Sequence, residues 1–398
     1  MSLPGGLRRF NTLSHTSIMV INLDNIESQP IHTGLPNIKV IGAGGGGGNV
    51  VNRMIQENVK GVQYISINTD TMALNSSRAD ITIPIGADIT KGLGAGMRPE
   101  IGRMAAEESI NTIRNTLEET DMVFLAAGMG GGTGTGALPV VAEVAKEMKI
   151  LTVAVVTTPF GFEGGKREKL ADEGIRELRK HVDTLVVIPN NKLLEIASPK
   201  TTMTEAFLMA DEILKQAISG ITNLINLEGI INLDFADLHT VMVNKGSAYM
   251  GTGAGRGDNR GLTAVKSALT SPLISKPIDG ATGIIINIVA DEAFPLLDAE
   301  AAAEYIQSSA SQDADVIFGL VYDPGLREEV VVTVIATGYD SDYEPVTTDE
   351  LQRVPLRVQD SLKHRKSDEQ VDIELGEEMK TEESADDEID LPSFMKQR

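Results

Sequence analysis

Five consecutive glycines, Gly44 to Gly48, separate an apolar run that ends at Gly42 from an apolar stretch that begins at Val50. The pattern reads as a strand passing through a glycine loop into a helix. Glycine lets a backbone come close to a ligand, and the helix that follows offers unpaired N–H groups and a positive dipole end. As a plain tight turn the run makes a poor choice, since each glycine adds conformational entropy to the unfolded chain. A phosphate site is the better reading. A second glycine run, Gly130-Gly-Gly-Thr-Gly-Thr-Gly136, again lies between an apolar strand and a helical stretch, Ala137 to Met148. Two cradles in one sheet suit a nucleotide di- or triphosphate gripped from both sides, with Thr133 and Thr135 adding hydroxyl donors.

No segment matches G-x-x-x-x-G-K-[ST], which excludes the P-loop class. Phosphate charge is then met by backbone N–H groups and a bound cation. A rival stays open. Gly42, Gly44 and Gly47 satisfy the dinucleotide fingerprint, and Asp70 could serve as its ribose acid, so an NAD or FAD oxidoreductase fits the first loop. It gives the second loop no role.

Strand-like runs at Ile38–Ile41, Val62–Ile67, Met122–Ala127, Leu151–Val156 and Leu185–Ile188 alternate with helix-like stretches. This predicts an α/β fold with a parallel sheet covered by helices on both faces. Phe207, Ala210, Leu214, Ala217, Ile221 and Leu224 recur at helical spacing in a long helix over 204–227, which could be a spine between two domains. A smaller α+β domain is expected over 228–340, with strands at Gly283–Val289, Val316–Tyr322 and Glu329–Ala336. Residues 1–36 read as a flexible extension, and 37–203 as the nucleotide-binding domain.

Charge narrows the partners. The net charge of -22 argues against nucleic acid, which needs Lys and Arg on phosphates. Between Lys366 and Asp390 stand twelve acids and two lysines, so 341–388 reads as a disordered acidic linker. Apolar residues return at Ile389, Leu391, Phe394 and Met395, which makes 389–398 a candidate docking peptide. No apolar run reaches the roughly 18 residues that span a bilayer, so no direct membrane insertion is expected. No secretory signal is read near Arg8 and Arg9. The absence of Cys removes disulfides and thiolate metal sites and suits a reducing compartment.

The run Gly130–Gly136 resembles the signature of the tubulin/FtsZ family, and the wider run Ala127–Lys146 is similar to its bacterial FtsZ branch. The resemblance covers about residues 37–338 plus the final ten. It implies that Gly45, Gly46, Gly47, Gly48 and Asn49 hold the nucleotide, that Gly94-Ala-Gly-Met97 senses the terminal phosphate, and that Gly131, Gly132, Thr133 and Gly134 cradle the phosphates. It places Glu163 and Arg167 around the sugar, Asn190 and Phe207 at the base, and Asp211 on the guanine N1–H and amino group. A carboxylate accepts from two parallel donors, which adenine does not present. Taken singly, Glu163 and Arg167 read as a solvated helix pair, Phe207 as core on its periodicity, and Asp211 as an exposed helical acid.

Asn232, Asp234 and Asp237 form the candidate catalytic set. Asp234 and Asp237 alone read as the N-cap and first turn of a helix. The resemblance implies that their loop enters the nucleotide pocket of the next subunit, so that hydrolysis follows head-to-tail assembly. It further implies a Rossmann-like GTP-binding domain, GTP and GDP as ligands, Mg2+ carried on the phosphates with no protein metal site, and a homopolymer. The setting it implies is the cytoplasm, with recruitment to a mid-cell division ring. Membrane-tethering adaptors would bind 389–398. A scaffold that binds GTP without turnover is the other alternative. Met97 and Arg98 stand where the family more often has small and amide residues.

Overall fold

The computed structural model describes residues 36–226 and 234–339. The expectations for the N-terminal extension, Asn232, the acidic linker and the C-terminal peptide lie outside the described residues.

Strand and helix alternate from the start. The order is β1 (Ile38–Ala43), α1 (Gly44–Gln56), β2 (Gln63–Asn68), α2 (Thr71–Asn75), β3 (Ile81–Pro84), α3 (Ala87–Thr90), α4 (Pro99–Glu108) and α5 (Ile110–Thr116). It continues with β4 (Met122–Gly128), α6 (Thr133–Glu147), β5 (Leu151–Thr158), α7 (Gly165–Arg179), β6 (Thr184–Pro189), α8 (Asn190–Ile196) and α9 (Met203–Asn226). Every residue of β1 is buried, as expected of a parallel strand covered on both faces. One core lies under α1 and α9, and a second lies on the opposite face under α4 to α7.

The remaining elements are α10 (Phe235–Met242), β7 (Gly246–Arg256), α11 (Arg260–Leu269), β8 (Gly283–Ala290), α12 (Leu296–Ser309), β9 (Asp315–Tyr322) and β10 (Glu329–Thr337). The strands run in the order β3-β2-β1-β4-β5-β6-β7-β10-β8-β9. The parallel half passes into the second half through three residue pairs between β6 and β7, from Thr184↔Gly246 to Val186↔Ala248. Beyond that joint β10 pairs antiparallel with both β7 and β8. A third core packs α11 and α12 onto β8 and β10. The stripe on α9 is buried as its spacing predicts, except at Phe207, which is 42% exposed.

Three elements differ from the pattern read in the sequence. Helix α1 begins at Gly44, not Val50, so the five glycines form its first turns. A Cβ on Gly47 would lie 2.3 Å from the Ala126 carbonyl oxygen, so the helix rests directly on β4. That packing overrides glycine's low helix propensity. Likewise α6 begins at Thr133, inside the second glycine run, rather than at Ala137. Strand β7 escaped notice because it is rich in glycine. Cβ atoms on Gly251, Gly253 and Gly255 would lie 2.0–2.2 Å from the carbonyl oxygens of Ala268, Ala264 and Arg260, so these alternate positions form a bare track for α11.

Candidate functional site

The parallel half has the order 3-2-1-4-5-6, with its switch point between β1 and β4. Ligands of such sheets bind beyond the carboxyl ends of the strands at that point, because helices depart to opposite faces and leave a crevice. Both glycine runs follow these two strands. A cleft of about 490 Å³ opens there, large enough for a nucleotide.

One end of the cleft is made of backbone. Gly44, at φ +71°, brings the first run against the second: a Cβ on it would sit 3.0 Å from the Gly134 amide nitrogen. Gly45 and Gly131 have open space where a Cβ would point. Neither α1 nor α6 has a side-chain N-cap bond, so both helix N-termini present their first N–H groups uncapped at the cleft. Gly45, Gly46, Asn49, Gly131, Gly132, Thr133 and Gly134 line it. Gly47 and Gly48 do not; Gly47 serves the helix–strand contact, and Gly48 points toward Ser66.

The threonines divide their work. Thr133 lines the cleft and shares a 2.6 Å hydrogen bond with the Thr69 hydroxyl, which ties α6 to the end of β2. Thr135 is a correction to the donor role read from the sequence. It is buried outside the lining, and its hydroxyl accepts from Gly130 N–H at 2.9 Å, which props the loop from behind. The 94–98 loop also stands behind the cradle. A Cβ on Gly132 would lie 2.8 Å from Ala95 Cβ, and Met97 Sδ lies 4.0 Å from an Arg167 nitrogen.

The other end is made of side chains. Glu163, Arg167, Asn190, Phe207 and Asp211 all line the cleft. Glu163 accepts from Phe160 N–H at 2.9 Å and pairs with Arg167 at 2.6 Å, so the pair is anchored to the loop after β5 rather than free in solvent. Phe207 meets Phe160 and Phe162 edge-on at 5.4 and 6.3 Å, leaving a ring toward the cleft instead of the core. Asn190 is 5% exposed, and its Oδ1 has no hydrogen-bond partner. Burial pushes the Asp211 carboxyl up from 3.8 to about 6, while Arg53 pulls it the other way. The Asn190 amide oxygen and the largely desolvated Asp211 carboxyl leave hydrogen-bonding capacity unused at the cleft.

Asp234 caps α10 by accepting from Ala236 N–H at 3.3 Å, and Asp237 lies in the first turn. Both are exposed, and neither lines the cleft of its own chain. Asp70, the ribose acid of the dinucleotide reading, caps α2 through Met72 and Ala73 N–H and is also outside the lining.

Residues 37–198 match the model of the tubulin/FtsZ family GTPase domain, and 246–340 match the FtsZ family C-terminal domain. A solved FtsZ dimer from M. jannaschii is 44% identical, with a TM-score of 0.75 over 78% of this chain and 90% of that one. A point mutant of M. jannaschii FtsZ gives the same identity, with a TM-score of 0.76 over 78% and 94%. The chain belongs to the tubulin/FtsZ family. The fold is shared more widely. A GDP-bound CetZ1 monomer from Haloferax volcanii matches at 21% identity and TM-score 0.67, over 81% of this chain and 99% of that one. The N-terminal half is thus the family's GTPase domain, and the dinucleotide-enzyme reading falls away.

Several lining residues went unread in the sequence, among them Thr157, Thr158 and Pro159 at the end of β5. The signal was available: the strand beside a switch point ends at the same crevice.

Proposed function

We propose that this chain is a GTP-hydrolysing filament protein whose active site is completed between two copies. The observation that carries the reading is the cleft itself. Two uncapped helix N-termini converge at one end, and an unpartnered Asn190 Oδ1 and a half-buried Asp211 stand at the other. Phosphates would lie on the N–H groups of α1 and α6, where backbone dipoles meet their charge without a lysine. Ionised Asp211 would accept from the guanine N1–H and amino group, and Phe207 would cover the base. Glu163 and Arg167 would stand at the sugar. A divalent cation, Mg2+ in this reading, would ride on the phosphate oxygens; the described residues contain no group of three or more metal-ligating side chains.

Exposed Asp234 and Asp237, outside the cleft of their own chain, would orient the attacking water in the cleft of the next copy, together with Asn232. Phosphoryl transfer is mostly positioning and electrostatics, so splitting these parts between copies couples turnover to assembly. A cleft on one surface and acids on another make a heterologous contact, which extends into open filaments when the rotation does not close. The wider setting proposed is the cytoplasmic face of a division ring, with adaptors held by 389–398. No helix of the described residues is long and apolar enough to cross a membrane.

Equilibrium dialysis against GTP and NAD, paired with sedimentation in GTP and in GDP, tests this reading. GTP binding without NAD binding, and pelleting with GTP, supports it. NAD binding, or no pelleting in either nucleotide, contradicts it.

A further inference from the structure

In the proposed reading the phosphates lie on α1 and α6 and the base on α9, and a cluster of charged side chains joins α1 to α9. Arg53 on α1 places its Nε 3.3 Å from Glu57 on the same helix and its Nη2 3.2 Å from Glu212 on α9. Lys215, 12% exposed, reaches back from α9 to Glu57 and lies 2.7 Å from Glu212. Gln216 donates to Glu212 at 2.9 Å. The cluster holds two cations and two anions, and each charge has an opposite partner. Asp211 is the residue before Glu212 and lines the cleft, and its carboxyl makes no hydrogen bond within the described residues.

We propose that Arg53 is a positioning residue for guanine recognition: clamped between Glu57 and Glu212, it fixes the phosphate-loop helix against the base-reading helix and sets its charge near Asp211. This rests on the reading of Asp211 as the guanine acceptor. Arg53 acts directly on Asp211; Glu57, Glu212 and Lys215 belong to the cluster that holds Arg53, and Glu163 and Arg167 line the same cleft as Asp211. Arg167 is paired with Glu163, and of the two cations in the cluster Arg53 is the one whose charge acts on the Asp211 carboxyl. Burial favours the protonated carboxyl, which turns one oxygen into a donor facing the donor edge of guanine. Arg53 opposes that and keeps the carboxylate available. Ion pairs at this exposure add little stability, so the effect is read in recognition rather than in melting.

The experiment is calorimetric titration of the full chain with GDP from pH 5 to pH 8, for wild type, Arg53→Gln, Arg53→Lys, Glu212→Gln and Asp211→Asn. Arg53→Gln should raise the pH at which affinity is half lost by about half a unit to one unit. Glu212→Gln, which removes an acid beside Asp211, should lower it, and Arg53→Lys should stay near wild type. Opposite shifts distinguish charge placement from damage, because a merely structural role weakens binding evenly at all pH. If Arg53→Gln does not fold, the double variant Arg53→Gln/Glu212→Gln, which keeps the cluster's charges balanced, carries the test: it should titrate above Glu212→Gln alone, and equal profiles overturn the role of Arg53. An unmoved profile in the neutralising variants overturns the role of Arg53. An unchanged preference for GDP over ADP in Asp211→Asn overturns the base reading instead.

Discussion

Gly44 and Gly134 come from glycine runs ninety residues apart, yet a Cβ on Gly44 would lie 3.0 Å from the Gly134 amide nitrogen. The two runs therefore form one cradle. Gly44→Ala meets both this contact and a left-handed backbone at φ +71°. The backbone strain alone costs about 1–2 kcal/mol. GDP affinity should fall about tenfold, equal to about 1.4 kcal/mol, as measured by calorimetry on folded protein. Unchanged affinity would show that the cradle does not hold the phosphates.

Asp211 carries a pH signature in the nucleotide-free protein. Its folded value, about 6, lies above its ordinary 3.8. The folded state therefore binds more protons than the unfolded state between these values, so stability from this group is full below about pH 4 and lost as pH rises through about 6. Asp211→Asn removes the ionisable group. The variant should melt at a higher temperature than wild type at pH 8, by a margin worth about 1 kcal/mol, and the margin should close below pH 4. At pH 8 it should also lose its preference for guanine over adenine nucleotides. A melting difference that is the same at both pH values counts against a desolvated carboxylate at this position.

Asp234 both caps α10 and stands as the proposed water-orienting acid. Asparagine caps a helix as well as aspartate does, so Asp234→Asn separates the roles. Phosphate release should drop about 100-fold or more while GDP affinity and melting temperature hold. Retained turnover would remove Asp234 from the chemistry.

Gly253→Ala tests the second half of the molecule. Its Cβ would lie 2.2 Å from the Ala264 carbonyl oxygen, which α11 cannot yield without lifting off β7. A loss of about 1–3 kcal/mol in denaturant unfolding is expected, with GDP affinity unchanged. Wild-type stability would mean that the strand–helix contact is looser than described.

Much of this was legible in the sequence because the signals are local. The apolar runs gave five of the six strands of the parallel half, and the 3.6-residue stripe gave α9. The four-residue β3 is too short for such a signal. What stayed hidden depended on contacts between distant segments. Glycine at 44–48 argues against helix by propensity, and only β4 beneath it makes the helix favourable. The same holds for β7, whose glycines read as loop until α11 lies on them. Phe207 shares the period of the buried stripe, and nothing local shows that its turn of α9 rises beyond the core to the cleft. Asn190 gave no sign of its burial, nor Asp211 of its partial burial, which are set by α8, α9 and the strand ends together.

The most direct measurement of the central claim is phosphate release per molecule as a function of total protein concentration, in GTP and across the range where sedimentation detects filaments. A site completed by a second copy predicts specific turnover near zero at high dilution, rising steeply where filaments appear. Specific turnover that stays constant down to isolated molecules would contradict it.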